Sequence, residues 1–165
     1  IGDMAGYNNQ GNNNTFIGKG SDLSSQTSSI TNATAIGGGA IVTTSNTIQL
    51  GNTDIVKVNT TGTFKSNGII SNLVAKNSSY TISNLDEVIT ADGTSSAFTI
   101  TLPTAIGITG QTFTIKRINS GSNTITVGTT LSQTIDGSVN YSLSAQYKYI
   151  KVVSDGANWI IVGNN

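Results

Sequence analysis

With neither histidine nor cysteine among its 165 residues, this chain has few groups that could do chemistry. They are seven aspartates, the single Glu87, scattered lysines and many hydroxyls. That inventory excludes the usual nucleophile-base triads, thiol chemistry and zinc sites. Two catalytic routes survive: glycoside hydrolysis between two carboxylates, and a serine-lysine dyad. Asp86 and Glu87 are neighbours, so on a strand they point to opposite faces and cannot share one proton site. A glycosidase pair would have to come from different strands or chains. Asp136 and Asp155 each precede a glycine, and too few oxygen ligands surround either in sequence to resemble a calcium loop. A turn role is expected for both. No catalytic, cofactor-binding or metal-ligating residue is assigned, and the chain reads as a binding or structural module.

Recognition is the other chemistry available. Tyr147 and Tyr149 flank Lys148 and would share one face of a strand. Exposed, they could stack on sugar rings while nearby asparagine and serine supply hydrogen bonds; buried, they would pack on a second sheet or another copy. Together with Tyr141 they are the receptor-contact candidates. Trp159 alternates with Ile161 and is expected in the core. The formal net charge is zero and the lysines lie singly from Lys19 to Lys151, so nucleic acid finds no continuous partner. No apolar run approaches the roughly 20 residues of a membrane helix, so no membrane insertion is expected.

The elements that must position these groups are β-strands. Serine, threonine and asparagine make up about two residues in five, yet isoleucine, valine and leucine alternate with threonine throughout, as a half-buried pleated surface requires. Helical spacing is nearly absent, and the fold class is all-β. Residues 1–54 repeat an apolar-glycine pair at Ile1-Gly2, Ile17-Gly18, Ile36-Gly37 and Leu50-Gly51, with offsets of 16, 19 and 14. The last offset aligns Asn32-Ala33-Thr34-Ala35-Ile36-Gly37 with Asn46-Thr47-Ile48-Gln49-Leu50-Gly51. The longer ones imply loop insertions at 7–14 and 22–29. Such short units cannot bury an apolar face alone and must stack, which predicts a β-roll or solenoid. Residues 55–76 read as a connector of short hairpins around Thr61-Gly62 and Asn67-Gly68, too small to fold without other chains. Residues 77–165 hold nine expected strands, at 80–83, 87–91, 98–102, 112–118, 124–127, 133–135, 141–144, 147–153 and 159–162. Turns at Asp92-Gly93, Ser120-Gly121, Asp136-Gly137 and Asp155-Gly156 separate them, and Pro103 marks a strand end. This pattern predicts a β-sandwich of jelly-roll type.

Residues 32–52, and less completely 13–22, resemble the head repeats of trimeric autotransporter adhesins, whose units carry an Asn-x-x-x-(Ile/Leu)-Gly pattern. The pieces Thr99-Ile-Thr-Leu-Pro103, Gly110-Gln-Thr-Phe-Thr-Ile-Lys116, Thr134-Ile-Asp-Gly137 and Val153-Ser-Asp-Gly-Ala-Asn-Trp159 resemble, in order, a small β-domain at the ends of phage tail fibres and related surface proteins. These resemblances imply a homotrimeric fibre with a β-roll, an interchain β neck and a C-terminal cap that carries receptor contacts. The implied partners are a cell-surface glycan or protein and the upstream fibre or baseplate components. The implied location is extracellular, on a virion, a phage-tail-like particle or a bacterial surface. A bacterial adhesin or filament subunit is the alternative, and a glycan-degrading spike a third. The start at Ile1, inside a glycine-rich motif, leads us to expect a fragment or processed product.

Overall fold

The computed structural model describes residues 1–24, 29–55, 58–59 and 61–165. Among them every regular element is a β-strand, and no helix is long and apolar enough to cross a membrane. The chain divides into two compact units, Ile1–Lys65 and Ser66–Asn165.

In the first unit the strands alternate between two small parallel sheets. β1 (Thr15–Ile17), β3 (Thr34–Ile36) and β5 (Ile48–Leu50) form one, and β2 (Asp22–Leu23) and β4 (Ile41–Val42) the other. The register places Ile17 beside Ile36 and Ile36 beside Leu50, so the sequence offsets of 19 and 14 become one ladder. Glycine is required where it recurs. Gly18 adopts φ 129°, and a Cβ there would lie 2.5 Å from the carbonyl carbon and oxygen of Gly37. Gly37 N–H donates to Ile17 O at 2.7 Å, and Gly51 N–H to Ile36 O at 2.7 Å, so Gly18 and Gly37 make room for the next glycine of the column while Gly37 and Gly51 bond to the strand before. Asn13, Asn32 and Asn46 follow the same 19- and 14-residue offsets and all take left-handed φ, at 60°, 54° and 59°. The Asn32 amide donates to Asn46 Oδ1 at 2.9 Å, linking successive corners.

The core of this unit is Leu23, Ile30, Ala33, Ala35, Ala40 and Val42, with Phe16 against it. Three of those six are alanines, so burial of only three larger side chains, at about 1.5–3 kcal/mol each, leaves coil-to-coil hydrogen bonding a large share of the work. The expected insertion at 7–14 packs back: Asn8 N–H lies 3.1 and 2.9 Å from the two Asp22 carboxylate oxygens, and the Asn14 amide donates to Ile30 O at 2.7 Å. Residues 25–28 of the other expected insertion lie outside the described residues.

The connector expected at 55–76 takes a different form. Val56, Lys57 and Thr60 lie outside the described residues. Residues 61–72 form no strand, so neither Thr61-Gly62 nor Asn67-Gly68 closes a hairpin. β6 (Leu73–Lys76) belongs to the second unit, where it pairs in parallel with β8 (Val88–Ala91). A local Asn-Gly signal makes a hairpin only where flanking residues have a surface to cover, and 61–72 is exposed throughout.

The second unit contains two sheets. One has the order β14 (Trp159–Asn164), β13 (Tyr149–Ser154), β10 (Thr112–Arg117), β8, β6; the other β12 (Asn140–Leu143), β11 (Ile125–Gly128), β9 (Phe98–Thr101), β7 (Tyr80–Thr81). From β6 to β11 the chain changes sheet at every strand, so β6, β8 and β10 pair in parallel, as do β7, β9 and β11. Each strand is the crossover connection for the opposite sheet. Only β12, β13 and β14 add antiparallel pairs. Jelly-roll pairing, which is antiparallel, is therefore not what these strands form. Alternating apolar residues specify which face is buried and carry no information on strand direction. Residues 133–135 are not a strand; Ile135 makes isolated bridges to Ser138 and Trp159.

One apolar cluster joins both sheets, with Ile89, Phe113, Ile115, Ile150, Val152 and Trp159 from the first and Phe98, Ile100, Ile125, Val127 and Leu143 from the second. Trp159 is fully buried, its ring 5.4 Å from that of Phe113, with Ile161 packed on the same cluster. Leu102 N–H donates to Gly128 O, and Pro103 follows at the strand end.

Buried Asp86 ties the turn before β8 to β7. Its Oδ2 accepts Tyr80 O–H at 2.8 Å, Ser83 N–H at 2.8 Å and Ser83 O–H at 3.0 Å. Burial acts to raise its pKa, but the Ser83 N–H, the Tyr80 and Ser83 hydroxyls and the Lys76 charge together hold it below the ordinary value. A carboxyl with a lowered folded pKa contributes stability that is complete above the unfolded value, about 3.9, and lost as pH falls through the folded one. Thermal melts of Asp86→Asn should therefore lose most stability near neutral pH, and the gap from the unaltered chain should narrow as pH drops below about 4.

Candidate functional site

Alternation in β13 buries Ile150, Val152 and Ser154 and turns Tyr149, Lys151 and Val153 to the opposite face. In β10, burial of Phe113, Ile115 and Arg117 turns Thr112, Thr114 and Lys116 the same way. The antiparallel register sets Lys116 beside Tyr149 and Thr114 beside Lys151. Thr90 of β8 flanks Lys116 on its other side. Tyr147 stands before β13 at φ 62°, its N–H donating to Arg117 O at 3.0 Å and its side chain 55% exposed. The Lys116 amine lies 5.6 Å from the Tyr147 ring centroid and 6.0 Å from that of Tyr149, within cation-π range. Strand alternation does not pair these tyrosines, because Tyr147 is outside the strand. Lys116 brings them together.

Tyr141 occupies a different setting. It lies on β12, packs against the core cluster, and its hydroxyl accepts from the Asn164 amide at 3.1 Å. Its cationic neighbour is Lys148, 5.9 Å from the ring centroid. It shares no cation with Tyr147 and Tyr149.

Two positions beside these tyrosines escape sequence reasoning. Lys116 reads as one more solvated lysine until β10 and β13 are paired. Arg117 carries no signal of its own in the sequence, and it is 1% exposed. Its Nε donates to Asn119 Oδ1 at 3.2 Å, Nη1 to Leu143 O at 3.1 Å and Nη2 to Gly121 O. Asn119 Oδ1 also accepts Gly93 N–H at 3.0 Å, so this network fixes two loops and the end of β12 beside the point where Tyr147 joins the Arg117 carbonyl.

Asp155 and Asp136 serve turns. Asp155 Oδ1 accepts the N–H groups of Ala157 at 2.8 Å and Asn158 at 2.6 Å, and the Asn158 N–H is the leading cause of its lowered pKa. Asp136 has left-handed φ and accepts Ile161 N–H at 3.1 Å. Asp86 and Glu87 line a shallow open depression with Ile70, Asn72, Leu85 and Gln111. The three donors on Asp86 favour its ionised form, the opposite of what a general acid needs. Among the described residues no group of three acidic side chains is gathered to hold a metal ion.

In the first unit, the face of the β1-β3-β5 sheet turned away from Ala35 presents Ile17, Ile36 and Leu50, which are 43%, 39% and 48% exposed. Ile48 is exposed as well, and so are Phe64, Ile69 and Ile70 in 61–72. No family model, no curated protein and no solved structure matches the chain.

Proposed function

We propose that this chain is the distal structural and receptor-binding part of a homotrimeric, tail-fibre-like surface fibre that attaches to a cell-surface glycan or protein. In this reading the first unit is a β-roll of stacked repeats, residues 61–72 run against their counterparts in the other copies, and the second unit is a two-sheet cap. The fibre stands outside the cell, on a virion, a phage-tail-like particle or a bacterial surface, and joins fibre or baseplate components upstream. The role is attachment and not catalysis.

The observation that carries this reading is the in-register ladder Ile17, Ile36, Leu50 on an uncovered sheet face. A core with three alanines leaves apolar side chains outward that a single chain does not bury, and a column parallel to the stacking direction suits parallel copies around one axis. The exposed Phe64, Ile69 and Ile70 need cover of the same kind. An adhesin or extracellular filament subunit remains the second reading, favoured by the Asn32–Asn46 bond that stacks the asparagine-led repeats.

Ile36→Asp tests the proposal, because a charge on an exposed position leaves the single chain folded but desolvates badly between copies. The variant should sediment as a monomer and lose at least tenfold in retention on whole cells or an immobilised glycan panel, as multivalent contact is lost. Unchanged mass and unchanged retention would contradict the proposal.

A further inference from the structure

We infer that the face bearing Lys116, Tyr147, Tyr149 and Lys151 is a binding site for a carboxylate-bearing sugar of an acidic polysaccharide. This inference rests on the attachment reading and names the ligand class of that same cap.

The five strands of this sheet contain no aspartate or glutamate, and their outward positions carry two lysines. Among the described residues the ion pair formed is Lys19 with Asp3 at 3.9 Å, so neither Lys116 nor Lys151 is paired with a carboxylate, and Glu87, just before β8, borders Thr112 at the other end of β10 from Lys116. Asp92, just past β8, is already engaged by the Thr94 N–H at 2.9 Å and hydroxyl at 2.6 Å. A chain of zero net charge thus presents a locally cationic face here.

The geometry of that face suits a ring bearing a charge. The Lys116 amine stands within 6.0 Å of both ring centroids, where an incoming carboxylate can meet the ammonium while the sugar's C–H face lies on an aromatic ring. Lys151 sits two residues beyond Tyr149 on the same face, about 7 Å along the strand, and the outer end of the Tyr149 ring leans toward it over Gly163, so one sugar ring lying on Tyr149 comes within reach of both lysines. Thr90, Thr114 and Thr112 surround Lys116 and the row beside it, and their hydroxyls both donate to and accept from sugar hydroxyls. Tyr147 is held in place through its N–H on the Arg117 carbonyl, so this ring is presented by a buried anchor. Two separated ammonium groups without an arginine fork suit single carboxylates better than a phosphate backbone.

The test measures binding of the full chain to polygalacturonate, polysialic acid, carboxyl-reduced polygalacturonate, dextran and duplex DNA by biolayer interferometry. The expected result is salt-sensitive binding to at least one of the two acidic polysaccharides, with carboxyl-reduced polymer, dextran and DNA at least tenfold weaker. Lys116→Gln and Tyr149→Ala should each weaken it about tenfold at unchanged molecular mass, and Lys116→Arg should restore most of it. Equal binding of the acid and reduced polymers, equal binding of DNA, no binding to either acidic polymer, or indifference to Lys116→Gln would each overturn the inference. Whole-cell retention separates the two claims. Cells retained equally by the unaltered chain and by Lys116→Gln, with polymer binding also indifferent to Lys116→Gln, refute this site and leave the attachment reading standing. Polymer binding that obeys the Lys116 and Tyr149 variants without retention on any cell supports the site and counts against attachment.

Discussion

Gly18→Ala unfolds the first unit and leaves the second intact. The glycine sits at φ 129°, where a side chain alone costs about 1–3 kcal/mol. The added methyl would also lie 2.5 Å from Gly37 C and O and 2.9 Å from Gly38 N, all backbone atoms that no rotamer change can move. Relief requires the coils to separate, which breaks the Gly37 N–H bond to Ile17 O at 2.7 Å and misaligns the Gly51 bond beyond it. A core of six buried residues, three of them alanine, has little stability in reserve. The loss should exceed about 3 kcal/mol once strain and broken bonds combine. Hydrogen exchange resolved by peptide should show protection lost across residues 1–55 and retained across 73–165. Gly121→Ala is the matched control: nothing lies within 4 Å of its Cβ position, and its effect should stay within about 0.5 kcal/mol. Retained protection in Gly18→Ala would mean that the coils do not stack as described.

Arg117→Met carries the second large effect, now in the other unit. Three bonds from the guanidinium end on Asn119 Oδ1, Leu143 O and Gly121 O, with no carboxylate among them. Charge-assisted bonds contribute about 1.5 kcal/mol or more each, and methionine of similar length fills the space without replacing any donor. Release of a desolvated cation returns part of that, which leaves a net loss of about 3 kcal/mol. For a unit of this size the melting temperature should fall on the order of 12 °C by calorimetry. Arg117→Lys should recover little, because one ammonium cannot span three acceptors held in a fork. A shift below about 2 °C in Arg117→Met would show that the network is not what fixes these loops.

How much of this was legible in the residues varies by physical cause. The parallel pairing of β1, β3 and β5 was, because the apolar-glycine pairs recur at the ends of these strands and their offsets of 19 and 14 reappear as register. The burial of Trp159 was too, since alternation with Ile161 specifies a face. Strand direction was not: residues 98–101 and 125–128 read alike as members of a parallel or an antiparallel pair, and only the folded chain sets them parallel. β6 was hidden in the expected connector because four residues between polar stretches carry too little pattern to announce a strand. In the candidate site, the aromatic residues were visible by type, but Tyr147 and Tyr149 meet through Lys116, a neighbour more than 30 residues distant in sequence. Arg117 was missed because a buried arginine satisfied by carbonyls leaves no local mark in sequence.

Molar mass in solution by light scattering, before and after mild heating, tests the trimeric fibre most directly. The account predicts a heat-resistant species at three times the 17.0 kDa chain mass. A clean 17.0 kDa monomer would contradict it, because the ladder of Ile17, Ile36 and Leu50 and the exposed Phe64, Ile69 and Ile70 would then face water without partners.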